Sequence, residues 1–297
     1  MATPVIQSSN TQTGQNVSSL VITKPTGLAE GDLLVAALAM HDANDNNRTF
    51  STPSGWTLAT NSTTGASAYL VRTVIFYKEA DSSDVAASDF TFTIAASSVY
   101  VAVGYLARID GHVPVSPITV SESDSDNTLS ASPSFTTALT PDIPENSLLF
   151  FVIASSDSDV GTETVSGYAS TPSATWTEQA DVAVVQSNDG VVMGVATAPY
   201  DSTTEITART ATFSASNTYH ASSIAVIRGS YDDGTTIPFV ASTQSAFAPT
   251  GRADANGVAS FVASTQSKFD PTGKGTAPTE WTNESEESTT WTNEASL

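Results

Sequence analysis

KPTGLAEGDLLVAALA, residues 24–39, is answered later in the chain by ALTPDIPENSLLFFVIA, residues 138–154. Aligning Glu30 with Glu145 brings Leu33-Leu34 over Leu148-Leu149. In both copies a Pro-containing phrase that reaches an acidic residue supplies a turn, and an apolar run follows it. A run as continuous as LLVAAL or LLFFVI predicts a central buried strand, with cover on both faces or a place at a sheet centre.

The same order of phrases continues outward from this pair. TPSGWT (52–57) returns as TPSATWT (171–177), DFTFTIAAS (89–97) as TATFSASN (210–217), and YVAVGYLARIDG (100–111) as YHASSIAVIRG (219–229). Each phrase is structural in type: Thr-Pro-Ser-Gly-Trp turns the chain and plants one large aromatic, Trp56 or Trp176, as a core or rim plug. Four pairs of phrases in one order, offset by 115 to 121 residues, predict a tandem duplication whose copies have ordinary domain size. Short alternating runs such as RTVIFY, FTFTIA and DVAVVQ are separated by Gly, Pro, Asn, Asp, Ser and Thr clusters, and no stretch sustains helical spacing over three turns. The expected fold is all-β: two tandem antiparallel β-sandwiches of jelly-roll or Ig-like type at residues 1–115 and 116–230, then an extended tail at 231–297.

The order GDLLVAALA, TPSGWTL, VIFYKEADSSD with FTFT, and VAVGYLARIDG, followed by a degenerate second copy, resembles a two-repeat β-sandwich family of virion structural proteins from tailed bacteriophages, prophages and related viruses. The resemblance covers about Pro4 to Gly229. It implies a non-enzymatic protein on the exterior of the particle, as tail fibre, baseplate appendage or capsid decoration. Other virion proteins and further copies of the chain are its implied partners, and no catalytic residue is carried across. A reading from another class is a carbohydrate-binding adhesin, in which Trp56, Trp176 or the acidic loops take host surface glycans by stacking and hydrogen bonding. Exposure of the two tryptophans separates these readings.

Composition narrows the partners. With 31 acidic residues against 10 basic ones the formal charge is −21, which argues against a groove for nucleic acid, because phosphate binding rests on Lys and Arg. Only 14% of residues are charged, so Ser, Thr and Asn supply most of the polar surface and suit exposed β-structure. There is no cysteine, which removes disulfides, thiolate metal sites and a cysteine nucleophile. The apolar runs LLVAALAM and LLFFVIA are too short to cross a bilayer, so no membrane insertion is expected. MATPVIQSSN has neither the basic start nor the apolar core of a signal peptide, and a product made and released in soluble form is expected.

Candidate chemistry is sparse. His41, His112 and His220 show no metal-ligand or catalytic spacing, neither G-x-S-x-G nor H-E-x-x-H occurs, and the three are read as structural. The runs HDANDNN (41–47) and SSDSDVG (155–161) follow equivalent strands, so both should emerge at the same end of their sandwiches. Asp42, Asp45, Asp157 and Asp159 are oxygen ligands of the kind that hold Ca²⁺. Neither run matches the twelve-residue calcium loop, and SESDSDN (121–127) shows that acidic Ser/Asp stretches also occur in the link; solvated loops are therefore the competing reading, and no other cofactor is expected. Glu163 and Glu205 have no neighbours that mark a glycosidase pair.

After Gly229 the composition changes. FVASTQSAFAPTG (239–251) and FVASTQSKFDPTG (261–273) agree at eleven of thirteen positions, and WTNE stands at 281 and again at 291. Phe239, Phe247, Phe261, Phe269, Trp281 and Trp291 thus recur in a setting too polar to bury them in a core of its own. The expectation is an assembly tail whose aromatics dock on neighbouring subunits and whose extended backbone adds strand to strand, two copies raising avidity. A linker repeated by slippage is the alternative.

Overall fold

The structure is a computed structural model that describes residues 3–42, 48–64, 70–95, 99–139, 143–157, 163–187, 189–217 and 219–230; the side chains of residues 42, 100 and 157 also fall outside this description. Its first half runs β1 (Val5–Val17), β2 (Ser19–Thr23), β3 (Leu33–Asp42), β4 (Thr57–Thr63), β5 (Leu70–Glu79), a single helical turn α1 (Ser82–Ala86), β6 (Asp89–Thr93) and β7 (Val99–Asp110). The second half runs β8 (Ile118–Asp126), β9 (Ser134–Phe135), β10 (Ser147–Asp157), β11 (Val165–Thr171), β12 (Thr177–Gln186), β13 (Asp189–Tyr200), β14 (Ala208–Phe213) and β15 (Tyr219–Ile227). The fold is all-β, with every strand pair antiparallel.

Strand order repeats between the halves. The first five-stranded sheet is ordered β1-β7-β3-β5-β4, and the second, taken from its far edge, β8-β15-β10-β13-β12. The small sheets correspond too: β2 pairs with β6, and β9 with β14, to which the second half adds β11. Turn chemistry follows the same plan. Gly31 before β3 has φ +88°, and Asn146, at the matching place before β10, has φ +58°; Asn is among the few residues with a side chain that enter this region readily.

Alternation along the central strands explains their continuous apolar runs. Leu33, Val35, Ala37 and Ala39 of β3 point into one core, while Leu34, Ala36, Leu38 and Met40 point into another. In β10, Leu148, Phe150, Val152 and Ala154 join the same core as Leu33, whereas Leu149, Phe151 and Ile153 enter a third. Each five-stranded sheet is therefore covered twice. Its outer face takes the small sheet of its own half, and its inner face takes the other five-stranded sheet. Residues 2–230 form one compact unit; positions 115 and 116 lie in the link between β7 and β8, and the shared core runs across it.

Facing strands exchange when the halves are swapped. β1 lies against β12 and β4 against β8; β7 faces β12 and β13, as β15 faces β4 and β5. This is the pattern of a two-fold axis through the crossing of β3 and β10, an isologous interface inside one chain. Two glycines permit the tightest outer contacts. A Cβ on Gly104 of β7 would lie 2.7 Å from Ile22 Cδ1 and 2.9 Å from Leu38 Cδ2, and one on Gly194 of β13 would lie 2.1 Å from the Tyr168 hydroxyl.

The shared core sets a measurable expectation. Phe150→Ala removes a fully buried ring and should cost about 3–5 kcal/mol. Because both halves rest on that core, denaturant unfolding followed by circular dichroism should show one shifted transition for residues 2–230. Two separate transitions, only one of them moved, would mean that the halves stand independently.

Candidate functional site

The two tryptophans occupy equivalent turns with different exposure. The backbone N–H of Trp56 donates to the Pro53 carbonyl at 3.1 Å, closing a turn in which Gly55 has φ +79°, a conformation suited to Gly at the third place of a type II turn. Its ring is 9% exposed and meets Phe90 and Phe92 edge-on, with centroids 5.8 and 5.2 Å away. Trp176 follows a phrase one residue longer and is half-buried. It lies 5.7 Å from Phe151, and its indole N–H donates to Ser170 Oγ at 3.2 Å. Both rings close the outer core of their half.

The acidic loops are described only at their bases. The backbones of Asp42 and Asp157 end β3 and β10, while their side chains, and Asp45 and Asp159 altogether, lie outside the described residues. Among the described residues no three His, Asp or Glu side chains gather as a metal site. Phe239, Phe247, Phe261, Phe269, Trp281 and Trp291 also lie outside the described residues.

Polar chemistry concentrates instead where the halves meet and inside the second half. At one border Ser62 Oγ donates to the Asp124 carbonyl at 2.6 Å and Ser121 Oγ to the Ala59 carbonyl at 2.7 Å; Thr64 and Asn127 continue this seam. At the opposite border Gln15 Nε2 donates to the Val185 carbonyl at 2.7 Å. Inside the shared core the Thr73 and Ser223 hydroxyls pair at 2.9 Å. Each such pair satisfies groups that would otherwise be costly to bury.

Arg209 of β14 is completely buried. Its Nη1 donates to the Thr137 carbonyl at 2.8 Å, and its guanidinium carbon sits 6.0 Å from the Phe151 ring centre. The backbone N–H groups of Thr136 and Thr137 donate in turn to Asp124 Oδ2, at 2.9 and 3.0 Å. Burial pulls the Arg209 pKa down to about 10, opposed by Asp124 and Glu122. Asp124 itself is partly desolvated, but the N–H groups of Thr137, Ser125 and Thr136 hold it below the usual carboxylate range. The chain Asp124–Thr137–Arg209 thus ties the β8 edge to the outer core.

Two further groups with shifted acidity lie on β11 and β12, Tyr168 half-buried and Asp181 at the surface. Burial raises the Tyr168 phenol, aided by the nearby charges of Asp181 and Glu178. Desolvation pushes Asp181 up to about 6, although it accepts the Val165 N–H at 3.1 Å. In the first half, Lys78 bridges Asp81 at 3.1 Å and Asp84 at 2.7 Å. Its burial would lower its pKa, but the bonds to Asp84 and Asp81 raise it on balance. Asp81 also caps α1, accepting the N–H of Ser83 and Asp84.

The sequence reading passed over Arg209, although its signal was present: in ARTATF positions 209, 211 and 213 share one face, so alternation alone turns the arginine inward with Ala211 and Phe213. Asp124 and Asp181 carried no such signal, because their roles come from pairings distant in the chain.

No protein family, curated protein or solved structure matches the chain.

The histidines yield a pH expectation. Burial holds His112 and His220 below the ordinary 6.5; the His220 ring nitrogen Nε2 lies 2.8 Å from the Asn217 carbonyl and the ring sits 5.2 Å from that of Phe213, tilted by 35°. Since the unfolded chain protonates these rings first, their contribution is present above pH 6.5 and is lost as pH falls from there toward the folded values. Asp181 works oppositely: the folded state holds its proton up to about pH 6, so acidification through that range favours folding. The melting temperature should therefore fall as pH drops below 6.5, and less steeply once Asp181 takes its proton near pH 6. NMR titration of the imidazoles checks the cause, and a His220 pKa above 6.5 would refute it.

Proposed function

We propose that the chain is a non-enzymatic structural protein on the exterior of a tailed virus particle, as tail fibre, baseplate appendage or capsid decoration. Its partners are other virion proteins and further copies of itself, and its two halves descend from a tandem duplication. The observation that carries this reading is the use made of the repeated phrases. The paired apolar strands, the turn glycine and asparagine, and both tryptophans serve packing, so what the two copies share is scaffold. Function on this reading resides in presentation and assembly, and residues 231–297 with their six spaced aromatics are the assembly tail.

The half-exposure of Trp176 supports a second reading, a carbohydrate-binding adhesin. Its indole N–H is already engaged by Ser170, which leaves only part of the ring for a sugar. No nucleic acid partner fits a charge of −21.

Truncation after Ser230 tests the proposal. The shortened chain should keep its melting temperature within a few degrees, yet lose oligomerisation or incorporation into particles; normal assembly without the tail would reduce the repeats to a passive linker. A glycan array with reproducible hits that Trp176→Ala abolishes would turn the reading to the adhesin.

A further inference from the structure

The four outer strands of the two five-stranded sheets are not guarded alike. β8 carries Glu122, Asp124 and Asp126, and β12 carries Glu178 and Asp181. β4 is uncharged, but it is seven residues long and broken by a register shift between Leu58 and Thr60. β1 is different. VIQSSNTQTGQNV is thirteen residues without a charge or a proline, none of them buried, and its register against β7 is unbroken from Ser8 to Val17. Its outward amides make no backbone hydrogen bond to another segment among the described residues. A register shift between Ile6 and Ser8 and the φ of +52° at Asn16 leave Ser8 to Gln15 as its even stretch, and an uncharged edge of that kind is a template for another strand.

The contrast with β8 is informative because the two strands hold equivalent places. One copy of the duplicated position has acquired three carboxylates and the other has none, on a molecule of net charge −21. Two such molecules repel wherever acidic surfaces approach, and β1 is the strip along which they can meet. The strip is also self-complementary. Antiparallel pairing about Thr11 sets Ser9 against Thr13 and Thr11 against its own copy. These hydroxyl pairs are of the kind that stabilise cross-strand contacts.

We propose that β1 is a homodimer edge: two copies of this chain join β1 to β1 antiparallel, fusing their first five-stranded sheets into one ten-stranded sheet across a two-fold axis. The partner is a second copy, selected by an uncharged edge whose stretch from Ser8 to Gln15 keeps an even register. This inference stands apart from the tail, which does not enter it.

Hydrogen exchange read by mass spectrometry on the full chain, at low and high protein concentration, tests it alongside sedimentation. In the associated state, amides of residues 5–17 should exchange about tenfold more slowly than in the monomer. Thr11→Asp places like charges opposite each other and should abolish that protection while leaving the melting temperature unchanged; Thr11→Lys should act in the same way. A wild-type chain that stays monomeric, or that associates while residues 5–17 exchange as fast as in the monomer, overturns the proposal, as does a Thr11→Asp chain that keeps the protection. Removing residues after Ser230 leaves this readout in place, so the tail reading and the β1 reading can fail separately.

Discussion

Each five-stranded sheet has to be covered on both faces, and the rest of the molecule follows from that requirement. A strand written LLVAALA or LLFFVIA has no polar side to give to water. An ordinary two-layer sandwich would leave one row of it exposed, either Leu33, Val35, Ala37 and Ala39 or their neighbours. Stacking the two large sheets on each other and closing each outer face with a small sheet resolves both rows in both halves. The arrangement makes the halves interdependent, since the core common to them holds Phe150, Tyr105 and the whole inner row of β3. Separating them would expose that row at about 25 cal/mol for each Å² of apolar surface.

The polar groups admitted to this interior are those the stacking can satisfy. Thr73 and Ser223 sit on strands that face across the shared core and bond to each other. Ser62 and Ser121 use backbone carbonyls at the border, where the sheets diverge toward solvent. Arg209 is the costliest inclusion, a permanent charge in an aromatic pocket of the second half. Its energy is managed by one carbonyl, the face of Phe151 and the more distant carboxylates of β8. Among the described residues the first half holds no arginine or lysine buried to the same degree, and its small sheet has two strands where that of the second half has three, with β11 added.

Much of the architecture was legible because alternation and turn chemistry are local. The paired strands Leu33–Asp42 and Ser147–Asp157, the turn before each and the placement of both tryptophans could be read from spacing, since a period of two fixes which side chains share a face. What sits on the second face could not be read so. An uninterrupted apolar run is equally consistent with a sheet centre and with a sheet covered twice, and only the tertiary pairing of β3 with β10 across the shared core decides between them. The same limit hid Asp124 and Asp181, whose partners lie 12 to 16 residues away or more along the chain. Short local motifs were visible and long-range polar ties were not.

Stacking also confines where this molecule can meet others. The inner faces are consumed by each other, and the outer faces lie under small sheets. The exposed sides of those sheets present mainly Ser, Thr and Asp, as in Asp89, Thr91 and Thr93 of β6 or Ser19 and Thr23 of β2, with Val21 the apolar residue between the last two. Short hydroxyl side chains offer little apolar area to a partner, and a charge of −21 raises the cost of any broad contact between copies. What remains are strand edges and loops, where main-chain hydrogen bonds supply adhesion without apolar area or charge. On that logic the association proposed for β1 rests on main-chain hydrogen bonds along an uncharged edge rather than on apolar area.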